Sequence, residues 1–198
     1  MVTVKQANRI LLILLKDFSR THTITSIAEE RGLSRVGIWK ILKKLEADKY
    51  IILQSVGKGK TGVFIIKINW DNVLVEKAMN LYLAEEALAQ RRWMVNFASL
   101  EKEVDFLILY GSILHSPAEA DDIDIIGVAP EKNLSAIEDL VLKIQGTQAK
   151  KIHAINFTQN EFRQELKKQN KAFLDALKKG VVLFGQEKFV EFISGLQK

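Results

Sequence analysis

Residues 104–128 read VDFLILYGSILHSPAEADDIDIIGV, and this stretch decides how the second half of the chain folds. Phe106 to Tyr110 is a short, wholly apolar run that predicts a strand, and Ile123 to Val128 predicts a second. Gly111-Ser112 follows the first run at once, a place where a small residue lets backbone N–H groups face a phosphate. Asp122 and Asp124 lie two apart on a strand, so both side chains emerge on one face while Ile123 turns into the core. Two carboxylates on one face repel each other. That cost makes sense if a hard divalent cation sits between them, because Mg²⁺ prefers oxygen ligands and is held by one or two carboxylates plus substrate phosphates. The plainer reading, which a lone D-x-D would favour, is that Asp121-Asp122 ends a loop and Asp124 is a solvated strand residue.

Downstream, 134–144 predicts an amphipathic helix, 151–157 a third strand, and Thr158 an N-cap for a helix over 159–168. Another helix is expected over 171–179, followed by Gly180-Val-Val-Leu-Phe-Gly185 and a last helix. Upstream, 71–102 contains neither Gly nor Pro and reads as helical, a rigid connector rather than a loose linker.

The first 70 residues have a different character. Residues 1–68 hold 13 Lys/Arg against 5 Asp/Glu, a net of +8, whereas 69–198 hold 16 against 19, a net of −3. The global +5 therefore describes neither part, and two functional modules are the natural explanation. Residues 4–18 place Ile10, Leu11, Ile13, Leu14, Leu15 and Phe18 at helix spacing. Thr25 is the expected N-cap of a second helix over 26–31, with Gly32 ending it in a positive-φ turn. Ser34 caps a third helix whose Ile38, Ile41, Leu42 and Leu45 form an inward stripe. On its other side lie Arg35, Val36, Trp39, Lys40, Lys43 and Lys44, a basic, partly apolar face that fits a major groove. Residues 50–56 and 63–68, joined by Gly57-Lys58-Gly59-Lys60-Thr61-Gly62, predict a β-hairpin with a basic tip.

Composition excludes several classes. Nearly half the 198 residues are hydrophobic, which excludes global disorder, and the absence of cysteine excludes disulfides and thiolate chemistry. The longest apolar run, Ile10 to Leu15, is six residues, whereas a membrane-spanning helix needs about 20. The N-terminus lacks the order of a signal peptide, so a cytoplasmic location is expected.

With these residues in view, the first part resembles a winged helix-turn-helix domain of the bacterial and archaeal regulator type. The stretch ITSIAEERGLSRVGIWKILKKLEADKYI and the basic hairpin carry the resemblance. It implies that the third helix reads double-stranded DNA and the hairpin touches the backbone, which points to Ser34, Arg35, Trp39, Lys40, Lys43, Lys58 and Lys60. Trp39 either approaches DNA or packs against the wing, and winged helices also serve as protein-docking modules. The stretch quoted first, with a strand, G-S, a loop over 113–121 and D-I-D opening another strand, closely resembles the nucleotidyltransferase superfamily typified by DNA polymerase beta, in its small prokaryotic members. That resemblance spans about 100–198 and implies that Gly111 and Ser112 bind a nucleoside triphosphate while Asp122 and Asp124 hold Mg²⁺.

The fold expected is thus α/β (α+β): a winged helix-turn-helix over 1–70, a helical connector over 71–102, and over 103–198 a small nucleotidyltransferase-fold domain with a mixed sheet flanked by helices. Two departures bear on function. Active members carry a third carboxylate on the strand corresponding to 151–157. Here that strand reads KKIHAINF, and His153 is the expected occupant of the third position, with Asn156 turned to the other face. A neutral imidazole is a poor Mg²⁺ ligand but suits softer metals and can act as a base; a polar residue at the edge of the site is the ordinary alternative. Ser116 stands where the family often has glycine, followed by Pro117, and His115 either meets a phosphate or faces solvent.

Three functions follow. The first is a DNA-binding regulator, reading half-sites as a homodimer, whose second domain binds a nucleotide or protein partner with little or no catalysis. The second is an active enzyme transferring a nucleoside monophosphate to a protein or RNA hydroxyl. The third is a scaffold making protein contacts only.

Overall fold

The computed structural model describes residues 2–57 and 63–197. The mixed helix-and-sheet class expected from the sequence is present, in two compact units. One comprises residues 1–82 with 193–198, the other residues 83–192.

In the first unit, α1 (Val2–Lys16) is followed by a two-residue strand β1 (His22–Thr23), α2 (Ile24–Arg31), α3 (Arg35–Ala47) and the strands β2 (Ile51–Val56) and β3 (Val63–Ile68). The three helices are held by their apolar stripes: Ile10, Leu11, Leu14 and Leu15 from α1, Ile27 from α2, and Ile38, Ile41, Leu42 and Leu45 from α3 are all buried. Each such side chain contributes about 1.5–3 kcal/mol relative to an exposed one, which is why the three- and four-residue spacing sets which helix face turns inward. The sheet has the order β1-β3-β2 and is antiparallel throughout, with Ile51 opposite Ile68 and Val56 opposite Val63.

The second helix starts earlier than the sequence predicts. Thr23, not Thr25, is its N-cap: its hydroxyl accepts the Ser26 N–H, and Ser26 Oγ accepts the Thr23 N–H, a reciprocal capping box. Thr25 therefore lies inside the helix. The first helix stops at Lys16 rather than 18, and His22–Thr23 pairs with β3, a strand too short to announce itself in the sequence. Gly32 has φ 62° and ends α2, while Ser34 caps α3 by accepting the Gly37 N–H, both as expected.

The expected connector divides differently. Helix α4 (Val73–Ala89) buries Val75, Met79, Leu83 and Ala87 at steps of four, and the boundary between units falls after Tyr82 within this helix. Helix α5 (Arg91–Asn96) and a 3₁₀ turn at Ala98–Leu100 belong to the second unit, whose core takes in Trp93, Phe97 and Leu100.

The second unit is built on β4 (Phe106–Tyr110), β5 (Asp122–Val128), β6 (Lys151–Phe157) and β7 (Val181–Phe184), with α6 (Leu134–Gln145), α7 (Gln159–Lys167), α8 (Lys171–Lys179) and α9 (Gln186–Gln197), the last of which runs on into the residues grouped with the first unit. The sheet order is β6-β5-β4-β7, with β5 and β6 parallel and the other pairs antiparallel. Period-two alternation sorts the side chains. Leu107, Leu109, Ile123, Ile125 and Ile152 enter one core with Phe97, Ile137 and Ile144. On the other face Phe106 meets Phe162, Phe189 and Phe192 at ring separations of 5.4–5.8 Å. The sheet is thus covered on both sides, and Asp122, Asp124 and His153 share a face with Phe106.

Candidate functional site

Asp124 has neighbours on both sides. In the antiparallel β4–β5 pair it stands opposite Tyr110, and in the parallel β5–β6 pair opposite His153. Three adjacent strands therefore bring Tyr110, Asp124 and His153 into one row, and Asp122 joins the same face two residues earlier. The imidazole Nδ1 of His153 is 3.2 Å from Asp122 Oδ2 and 3.6 Å from Asp124 Oδ1. One donor atom from each of the three residues lies within 4.8 Å of the others, and among the described residues they form the one such His/Asp/Glu group.

The electrostatics follow from this crowding. Partial burial, and then the negative charge of Asp122, push the Asp124 carboxyl above its ordinary range, opposed by His153. Burial and then the two carboxylates push the Tyr110 hydroxyl up in the same way. A cation placed among these groups would remove the repulsion. The two carboxylates supply the oxygen donors that Mg²⁺ prefers, and the third donor is a nitrogen, so the set fits a divalent cation but departs from an all-oxygen Mg²⁺ site.

Gly111, at the end of β4, has φ 86° and ψ −168°, a region open essentially to glycine. A Cβ there would stand 2.5 Å from Asp124 Oδ2, so the missing side chain leaves room for the carboxylate. Ser112 is exposed and opens a 3₁₀ turn over Ser112–Leu114, and its carbonyl accepts the N–H groups of His115 and Ser116 at 3.0 and 2.8 Å. The Ser116 carbonyl in turn accepts from Glu119 and Ala120, so the loop curls back toward Asp122 without needing glycine at 116. His115 is exposed, and Asn156 lies beside Gly127, away from the carboxylates.

Two residues near this site were not singled out by the sequence. Tyr110 closes an apolar run and looks like core until the β4–β5 register sets it opposite Asp124. Lys150, just before β6, donates from Nζ to the carbonyls of Ala118 and Ala120, tying the 113–121 loop to the next strand. Nothing in the sequence distinguishes it from any other surface lysine.

In the first unit the face of α3 carries Ser34, Arg35, Val36 and Lys40 exposed, with Lys43 alongside. Ser34 spends its hydroxyl on the helix cap, and Lys43 Nζ is 2.5 Å from Glu46, which offsets part of its charge. Trp39 packs on Phe64 of β3 with ring centres 5.1 Å apart. An apolar hollow of about 360 Å³ lies beside it, bordered by Arg35, Val36, Trp39 and Phe64. Lys58 and Lys60 lie outside the described residues. No helix among the described residues is long and apolar enough to cross a membrane. Set against protein-family models, curated proteins and solved structures, the chain finds no match in any of the three.

Proposed function

We propose that the protein is a DNA-binding regulator whose second unit binds a nucleoside triphosphate with a divalent cation, with little or no nucleotidyl transfer. The observation that carries this reading is the row of Asp124 and His153, with Asp122, beside the glycine-only turn at Gly111. Two like charges and an imidazole held this close gain most from a shared cation, and the turn at Gly111-Ser112 offers backbone to a phosphate at the same strand end.

Asp122, Asp124 and His153 would hold the cation, which would neutralise charge on the triphosphate. Gly111 would admit the phosphates close to the backbone, and Ser112 would donate a hydrogen bond. Phosphoryl-type transfer relies on positioning and on neutralising developing charge, so an imidazole in place of a third carboxylate weakens turnover more than binding. In the first unit, Arg35 and Lys40 would meet phosphates or guanine edges, and Trp39 would support the hairpin from behind the reading face.

Calorimetric titration of the full chain with ATP and Mg²⁺ tests the nucleotide site, with saturable binding expected for wild type and none for Asp122→Asn with Asp124→Asn. Equal binding by both proteins would refute it. For DNA, anisotropy titrations with a labelled duplex should show affinity falling steeply with salt, and Arg35→Glu with Lys40→Glu and Lys43→Glu should abolish it. Unchanged binding would remove α3 as the reading helix.

A further inference from the structure

We infer that the cluster of Asp122, Asp124 and His153 selects a divalent transition cation of the Mn²⁺ class over Mg²⁺, with His153 Nδ1 as the donor that discriminates. This rests on the cation-and-nucleotide reading of the same site and adds to it the identity of the metal.

The geometry is that of ligands sharing a coordination sphere. Two donors at right angles, each about 2.1 Å from a cation, stand about 3.0 Å apart, and across a tetrahedral edge about 3.4 Å. Nδ1 of His153 is 3.2 Å from one carboxylate oxygen and 3.6 Å from the other. It is therefore close enough to both carboxylates to serve as a third ligand. The placement is built into the sheet, because the parallel β5–β6 register pairs Asp124 with His153. Asp122 follows from the two-residue repeat of the strand. The imidazole presents Nδ1, and not merely its edge, to both carboxylates.

The donor set then decides the metal. Mg²⁺ is small and hard, gives up water reluctantly and is bound through oxygen and net negative charge. Exchanging a third carboxylate for a neutral imidazole removes one unit of that charge and supplies a nitrogen that Mg²⁺ scarcely uses. A transition cation accepts carboxylate oxygen, triphosphate oxygen and imidazole nitrogen together, and gains from the nitrogen along the Irving–Williams order. Carboxylates keep the site from becoming a purely soft one, which favours the Mn²⁺ end of the series when the triphosphate is also bound.

The full chain, with MnCl₂, MgCl₂ and ZnCl₂ as the probes, with and without ATP, provides the test. Electron paramagnetic resonance of the Mn²⁺-loaded wild type should show coupling to an imidazole ¹⁴N, a readout that needs no variant and no turnover. His153→Asp should lose that coupling and lower the ratio of Mn²⁺ to Mg²⁺ affinity about tenfold, mainly by gaining Mg²⁺. Mn²⁺ binding without nitrogen coupling, or an unchanged ratio in His153→Asp while Mg²⁺ and ATP still bind, would overturn the inference and leave the nucleotide reading standing. A wild type that binds Zn²⁺ tightly and Mn²⁺ no better than Mg²⁺ would also overturn it. Failure of every cation to bind, with or without ATP, would remove both.

Discussion

The carboxylate of Asp124 occupies the space that a side chain on Gly111 would need: a Cβ there would lie 2.5 Å from Asp124 Oδ2. The turn after β4 and the start of β5 are thereby interlocked, with glycine just past one strand making room for the acid on the other.

Gly111→Ala should accordingly disable the site before it unfolds the protein. The clashing atom is the free end of a short side chain, which can rotate away, so the contact itself costs little and the position of the carboxylate is what is lost. The backbone conformation adds about 1–3 kcal/mol of strain for a residue with a Cβ. Cation and ATP titration should show binding lost, while circular dichroism retains the mixed helix and sheet signal.

Asp122→Asn should stabilise the cation-free protein. The Asp124 carboxyl is raised chiefly by burial and then by Asp122, so ionising it works against folding. The contribution of Asp124 is fullest at acid pH and falls as pH rises from the ordinary carboxylate range through its raised value. Removing the Asp122 charge relieves part of that loss. At pH 8, without divalent cations, the melting temperature of Asp122→Asn should lie above that of wild type, by an amount kept small by solvent screening of the pair. The gain should vanish near pH 3, where calorimetry would find both proteins alike.

His22 gives the first unit a pH dependence of opposite sense. It is buried, with Nε2 2.8 Å from the Asp17 carbonyl and Nδ1 without a partner among the described residues. Burial lowers its pKa, against the raising influence of the Asp17 hydrogen bond and of the Asp17 and Glu30 charges, with Arg20 adding to the lowering. The unfolded chain therefore takes up the proton first. The contribution to stability is full above the unfolded value of about 6.5 and is lost as pH falls from there toward the folded one. Hydrogen exchange at the Ile66 amide, opposite His22 in the sheet, should accelerate between pH 7 and pH 5 after correction for intrinsic rates. His22→Gln should flatten that dependence.

Much of the fold is legible because its signals are local. The stripe of Ile38, Ile41, Leu42 and Leu45, the apolar run at 106–110 and the caps at Ser34 and Thr158 each mark an element within a few residues. The cap expected at Thr25 stands instead at Thr23. Thr23 and Thr25 are both competent N-caps, and the choice fell to Ser26, whose hydroxyl closes the box with Thr23 alone. The helical character of 71–102 is present, but a helix without glycine looks the same whether it bridges units or packs within them, and only the burial of Trp93, Phe97 and Leu100 places 91–100 in a core.

Alternation and composition need no partner, so the paired acids on one face, the small residues after the preceding strand and the asymmetry of charge are all legible in the chain alone. His153 is the expected third member from the strand at 151–157, and it is the tertiary structure that brings it to Asp122 and Asp124. The register of β5 against β6 is set across an intervening helix by the packing of Ile123, Ile125 and Ile152 into one core, and a one-residue slip would have turned His153 to the opposite face. Trp39 shows the same division. Its place on the helix is a matter of spacing, but its commitment to Phe64 depends on where the hairpin folds back.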